Sequence, residues 1–150
     1  MDRIDRKIVE LLQSDGRMSN KALADEIGLA PSTTLGRVRE LERRGVIRGY
    51  GARVDVAEIG RPLQAVVFVR LGPKNDKIVN DFVDAVWAIP QTVSVFLVSG
   101  NDDVIVHLAV SSTTELRETV LHRISNLPGV IDERTALVFE HRTKELLEPR

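Results

Sequence analysis

The sequence contains no cysteine. That absence removes disulfide frameworks, thiol nucleophiles, Cys-ligated zinc and thiol redox sensing together. Long apolar runs are missing too. None approaches the roughly 18 residues needed to cross a bilayer, and no charged-then-apolar leader precedes Ile4. The expectation is a cytoplasmic protein without a membrane partner. No P-loop, glycine fingerprint or nucleophile–base pair is present. The three histidines, His107, His122 and His141, are too scattered for a metal motif. His107 alternates with Ile105 and Ala109 and reads as a satisfied interface histidine rather than a ligand. Trp87 and Met18 read as core or boundary residues. The expectation is therefore no catalysis, no metal and no resident cofactor.

An excess of one charge is also lacking, since 21 Lys/Arg against 22 Asp/Glu leave a net −1. The distribution is uneven. Residues 1–54 hold 11 basic and 8 acidic side chains, and residues 31–54 hold 6 Arg against 2 Glu. A basic segment on a neutral chain is the footprint of a DNA-reading face, because phosphate contacts dominate affinity. A merely solvated charged helix is the plainer alternative.

What is present begins with three short helical patterns. Asp2 can cap a helix whose Ile4, Ile8, Leu11 and Leu12 form one apolar stripe, stopped at Asp15-Gly16. Ser19 can cap a second, with Leu23 and Ile27 as its buried pair and Gly28 as its end. Pro31 suits the first position of a third, whose inner face is expected to carry Leu35, Val38 and Leu41. Only Gly28, Leu29 and Ala30 separate the second and third helices. A turn that short makes them cross steeply, as in a helix-turn-helix, so the third is the recognition helix.

Residues 46–55 read as strand-like, and residues 56–62 as a linker interrupted by Gly60 and Pro62. Residues 63–71 then form a Val-rich strand, 74–89 a helix, and 92–98 and 104–110 two strands joined by a polar hairpin loop. Ser112 with Glu115 forms a capping box opening a helix along Leu116, Val120, Ile124 and Leu127. Residues 130–139 form a last strand. The order β-α-β-β-α-β is the ferredoxin-like arrangement, so the fold class is α+β. The domains are expected at 1–50 and 63–150, with the strand and linker at 51–62.

Helices would cover one face of that sheet, yet the strands are apolar on both faces. Ala65, Val67 and Val69 stand against Val66 and Phe68, and Val93, Val95 and Leu97 against Phe96 and Val98. A second buried face implies a second sheet, most simply from another copy of the chain. Cover by the C-terminal tail is the alternative.

These residues resemble the Lrp/AsnC family of feast/famine transcriptional regulators. The likeness runs through Asp5-Arg6-Lys7-Ile8, Asp15-Gly16-Arg17, the stretch from Arg37 to Tyr50, Leu97-Val98-Ser99-Gly100 and Leu127-Pro128-Gly129-Val130. The resemblance implies a winged helix-turn-helix binding double-stranded DNA, homodimers that assemble to tetramers or octamers, and an amino-acid effector in the C-terminal domain. The chain departs from the family pattern at two places. Ala30 stands where a Ser or Thr usually caps the recognition helix, a loss of about 0.5–2 kcal/mol unless Ser32 or Thr33 takes over. The hairpin loop reads Asn101-Asp102-Asp103 where acid-aromatic-acid is usual.

Candidate DNA-reading residues are Ser32, Thr33, Gly36, Arg37 and Glu40, with Thr34 and Arg39 on the same helix. Short hydroxyls near a helix N-terminus allow close approach to the major groove, and Arg can grip guanine bidentately. Gly36 in mid-helix costs about 1 kcal/mol relative to Ala. Ser19, Lys21, Arg43, Arg44 and Tyr50, with Asn20 beside them, suit phosphate contacts. The candidate effector site is Ser99, Gly100, Asn101, Asp102 and Asp103, with Thr135 from the last strand. Backbone N–H groups would hold an amino acid's carboxylate and Asp103 its ammonium. An acidic Asp102 in place of an aromatic points to lysine, arginine or glutamine rather than leucine. Two rival readings share the sequence: DNA compaction without sequence preference, and a ligand-binding ferredoxin-like protein without a DNA role.

Overall fold

The structure, a computed structural model, describes residues 1–143, so the last seven residues of the expected C-terminal domain lie outside the described residues. It divides into two compact units, one built on Met1–Arg53 and the other Val54–His141.

The first unit holds α1 (Arg3–Ser14), α2 (Asn20–Ile27) and α3 (Pro31–Arg43). Asp2 caps α1 in a full capping box: its side chain accepts from the Asp5 N–H, and Asp5 answers on the Asp2 N–H. Ser19 caps α2. Gly28 ends α2 in the left-handed region at φ 71°, which the tight turn into α3 requires. Ile8, Leu23 and Leu41 are fully buried at the centre of the three helices, with Ile4, Leu12, Met18, Ile27 and Val38 packed around them. Each such side chain contributes roughly 1.5–3 kcal/mol.

Two expectations are corrected here. The inner face of α3 carries Thr34, Val38 and Leu41, whereas Leu35 is 39% exposed. Thr34 can lie inside because its hydroxyl donates to the Ala30 carbonyl at 3.1 Å, leaving no unpaired donor. Residues 46–55 form no strand. No partner strand pairs with them among the described residues, so their apolar residues do not decide the conformation.

The second unit is a four-stranded antiparallel sheet, order β2-β3-β1-β4, from β1 (Leu63–Leu71), β2 (Thr92–Leu97), β3 (Val104–Val110) and β4 (Val130–Val138). Helix α4 (Asp76–Trp87) and helix α5 (Thr113–Glu118), continued by a π-helical stretch (Thr119–Ile124), cover one face. Ala65, Val67, Val69, Val104, Val106 and Leu108 point into that core against Phe82, Val86, Leu116, Val120 and Ile124. Trp87, read as core or boundary, is 64% exposed, because the buried stripe of α4 runs through Phe82 and Val86 instead.

The expected capping box on α5 is half formed. The Ser112 hydroxyl accepts from the Glu115 N–H at 3.2 Å, but Glu115 reaches past it. Its carboxylate accepts from the Ser111 N–H at 2.6 Å, the Ser111 hydroxyl at 2.7 Å and Gln91 Nε2 at 2.7 Å.

Candidate nucleic-acid interface and effector loop

The exposed side of α3 gathers the candidate readers. Ser32, Thr33, Gly36, Arg39 and Glu40 are exposed and Arg37 is half-buried. Thr34 is not among them, since it is fully buried. Ala30 makes no side-chain cap, and neither Ser32 nor Thr33 replaces it. Pro31 at the first position instead supplies the fixed φ that starts the helix. A side chain built at Gly36 would meet nothing within 4 Å, so the backbone there lies open to an approaching surface. Thr33, Gly36, Arg37, Glu40 and Arg44 line a shallow cleft of about 330 Å³ together with Asp5 of α1.

Two of these arginines are already engaged. Glu40 and Arg43 form a bidentate pair one turn apart, with Nε to Oε2 at 2.7 Å and Nη2 to Oε1 at 2.6 Å. Arg43 holds the Glu40 carboxyl below its usual range, and Glu40 raises the guanidinium in turn. Arg37 donates through Nη1 to Asp2 at 2.6 Å and to Asp5 at 2.8 Å. No sequence pattern announced this clamp, because its members lie 35 and 32 residues apart.

The candidate phosphate contacts divide. Ser19 accepts from the Ala22 N–H and keeps its own hydroxyl proton, and Lys21 stands exposed beside it. Asn20 is engaged within the unit, where its Nδ2 donates to the Pro31 carbonyl at 2.8 Å and fastens the start of α2 to the start of α3. The Tyr50 hydroxyl donates to Glu42 at 3.1 Å, and partial burial followed by that carboxylate raises its pKa.

In the second unit the hairpin loop is built by cross-links to neighbouring strands. The Asp103 N–H donates to the Val69 carbonyl at 2.9 Å, and the Asp103 carboxylate accepts from the Leu71 N–H at 2.9 Å. Lys74 lies 2.8 Å from the same carboxylate. That ammonium first, then the Leu71 N–H, hold the carboxyl below its usual range against the effect of burial. Asp102 pairs with Arg134 of β4 at 2.7 Å, and the Arg134 guanidinium lies 4.7 Å over the Phe68 ring. The N–H groups of Gly100 and Asn101 meet no acceptor among the described residues.

These contacts correct two expectations. Asp102 is not an unpaired carboxylate awaiting a cationic ligand, because Arg134 supplies the cation. Thr135 is not brought to the loop. It pairs in register with Val67 and so faces the opposite side of the sheet from Arg134, which pairs with Phe68. Lys74 and Arg134 were missed, and nothing local marks either of them.

The sheet face away from the helices carries Val66, Phe68, Ile105 and Phe96, the last 53% exposed. His107 sits among them, buried, with Nε2 2.8 Å from Gln64 Oε1. The His141 ring meets it edge-on at 5.2 Å, so the chain beyond β4 touches this face at His107. Burial, then the neighbouring His141, lowers the His107 pKa.

A family model for winged helix-turn-helix DNA-binding domains matches residues 1–48, and one for the Lrp/AsnC ligand binding domain matches residues 64–146. The chain belongs to the Lrp/AsnC family. It is a DNA-binding transcriptional regulator with an N-terminal winged helix-turn-helix and a C-terminal effector domain. Among curated Lrp/AsnC relatives, it is 40% identical to the HTH-type transcriptional regulator AldR of Mycobacterium tuberculosis, over 94% of this chain and 79% of that protein. It is 36% identical to the leucine-responsive regulatory protein of Escherichia coli K12, over 93% of this chain and 85% of that protein. A solved transcriptional regulator from Neisseria meningitidis in complex with L-Met superposes with a TM-score of 0.88 at 27% identity, covering 100% of this chain and 96% of that one. No helix among the described residues is long and apolar enough to cross a membrane.

Proposed function

We propose that this chain is a cytoplasmic, non-catalytic regulator that reads specific double-stranded DNA through α3. On this reading Ser32, Thr33, Gly36 and Arg37 approach base edges, while Ser19, Lys21, Arg39 and Arg44 lie on phosphates. The open surface at Gly36, flanked by Thr33 and Arg37, carries the reading, since it lets the helix backbone come close to the groove. DNase footprinting upstream of the chain's own gene tests it. A protected site bound far more tightly than random duplex is expected, and equal affinity for both would leave only compaction without sequence preference.

The effector is proposed to be an amino acid with an uncharged side chain, its carboxylate on the Gly100 and Asn101 amides. Support comes from the Asp102–Arg134 pair, which leaves that carboxylate no spare charge for a cationic side chain, while Asp103 takes one contact per oxygen and keeps lone pairs for the effector's ammonium. The L-Met held by the Neisseria relative is of that class. The apolar outer face supports a homodimer joined sheet to sheet, from which tetramers or octamers build.

A further inference from the structure

The capping box of α1 does more than start a helix. Its two carboxylates carry four oxygens, and all four are used. Asp2 Oδ1 accepts from the Asp5 N–H at 2.8 Å, and Asp5 Oδ2 from the Asp2 N–H at 3.3 Å. The remaining two, Asp2 Oδ2 and Asp5 Oδ1, both accept from Nη1 of Arg37. The Asp5 carboxylate is only 14% exposed, so water competes poorly for it.

A guanidinium has five N–H donors in a fixed fork. Spending both Nη1 protons on the aspartates occupies one of the fork's two bidentate edges and leaves the other, Nε–Nη2, as the edge able to make a bidentate contact. The local charge matters as well: one cation between two anions sums to −1. A bare Arg is attracted to every phosphate on the duplex. This one stands among carboxylates that repel phosphate, whereas the neutral acceptor edge of a base suffers far less repulsion.

We propose that Asp2 and Asp5 are positioning residues for Arg37 that set DNA specificity without touching DNA. They lock the side chain so that its free edge is offered to a base, and they bar it from service as a phosphate contact. The inference rests on the assignment of Arg37 to the DNA-reading surface.

The test uses the full chain and a duplex recovered by selecting random DNA on that chain, compared with a scrambled duplex of equal length. Fluorescence anisotropy gives both affinities and their salt dependence. Asn caps a helix about as well as Asp, so Asp2→Asn/Asp5→Asn removes charge while retaining the box. Its expected effect is tighter binding of the scrambled duplex and a ratio of selected to scrambled affinity lowered about five- to tenfold. The scrambled-duplex salt slope should steepen by about one as Arg37 gains a phosphate. Arg37→Lys, which lacks the fork, should lower the ratio comparably. Adding Arg37→Ala to the double variant should lower it little further, because the three side chains act as one unit. Asp2→Ser, which also caps, is the more conservative variant and should move the ratio the same way by less. An unchanged ratio in either folded aspartate variant, alongside a fall in Arg37→Ala, overturns the proposal and leaves Arg37 as a reader. An unchanged ratio in Arg37→Ala itself overturns the assignment beneath it.

Discussion

Arg134 Nη2 lies 2.7 Å from Asp102 Oδ2, a bond that spans 32 residues and joins the hairpin loop to the far edge strand. It reverses the inference drawn from the loop's composition. An acidic residue in an effector loop suggests a cationic ligand only while the acid is unpaired. Here the chain provides the counter-charge, and the same guanidinium stacks on Phe68.

A thermal-shift screen of the twenty amino acids should therefore rank lysine and arginine no higher than methionine, alanine or leucine. A ligand at 100 times its Kd adds about 2.7 kcal/mol to stability, which such a screen resolves readily. Arg134→Ala should reverse the order toward lysine and arginine by releasing Asp102. Preferential binding of lysine by the unaltered chain would contradict a neutralised loop.

The outer face of the sheet predicts assembly. Val67 lies in the core and cannot probe it, while Val66 faces away from the helices. Phe68 also faces away, but an Asp there would find Arg134 nearby. Val66→Asp is the cleaner probe. It should leave the circular dichroism spectrum intact and lower the mass seen by light scattering to that of one chain, because an unpaired carboxylate at a sheet–sheet contact is costly. A variant as large as the unaltered protein would refute pairing through this face.

Phosphate contacts should be separable from base contacts by their salt dependence. Arg44 has no carboxylate within ion-pair distance among the described residues, whereas Arg43 is held by Glu40. Arg44→Ala should weaken selected and scrambled duplexes alike and lower the salt slope by about one. Arg43→Ala should also weaken both, since it unmasks the Glu40 charge. A loss confined to the selected duplex would make either residue a base reader.

Glu115 predicts the acid limb of stability. The Ser111 N–H, then Gln91 and the Ser111 hydroxyl, bring its pKa down from 4.5 to about 2. A carboxylate with a depressed folded pKa stabilises above its unfolded pKa, and that contribution is lost as pH falls toward the folded value. Melting temperature should thus drop between about pH 4.5 and pH 2, and Glu115→Gln should be less stable near neutrality with a shallower fall over that window. Parallel curves for the two proteins would mean that these bonds exist equally in the unfolded chain.

Much of the architecture is legible in the sequence because it is encoded locally. Asp2, Ser19 and Ser112 cap helices as their positions predict, and apolar spacing near 3.6 residues marks α1, α2 and α4. The Gly28 turn and the doubly apolar β1 could be read in the same way. What tertiary packing decided were questions of rotation and of distant partners. Thr34 and Leu35 differ by one step around α3, and only the position of the Ile8–Leu23–Leu41 core sets which one lies inside. Residues 46–55 have strand-like composition but pair with no strand among the described residues, and a strand exists only in a pair. Arg37 with Asp2 and Asp5, Lys74 with Asp103, and Arg134 with Asp102 are charges far apart in the chain, and no periodicity links them. Their pairing follows from how the helices cross and how the strands register, so the chemistry of both candidate sites emerged only with the fold.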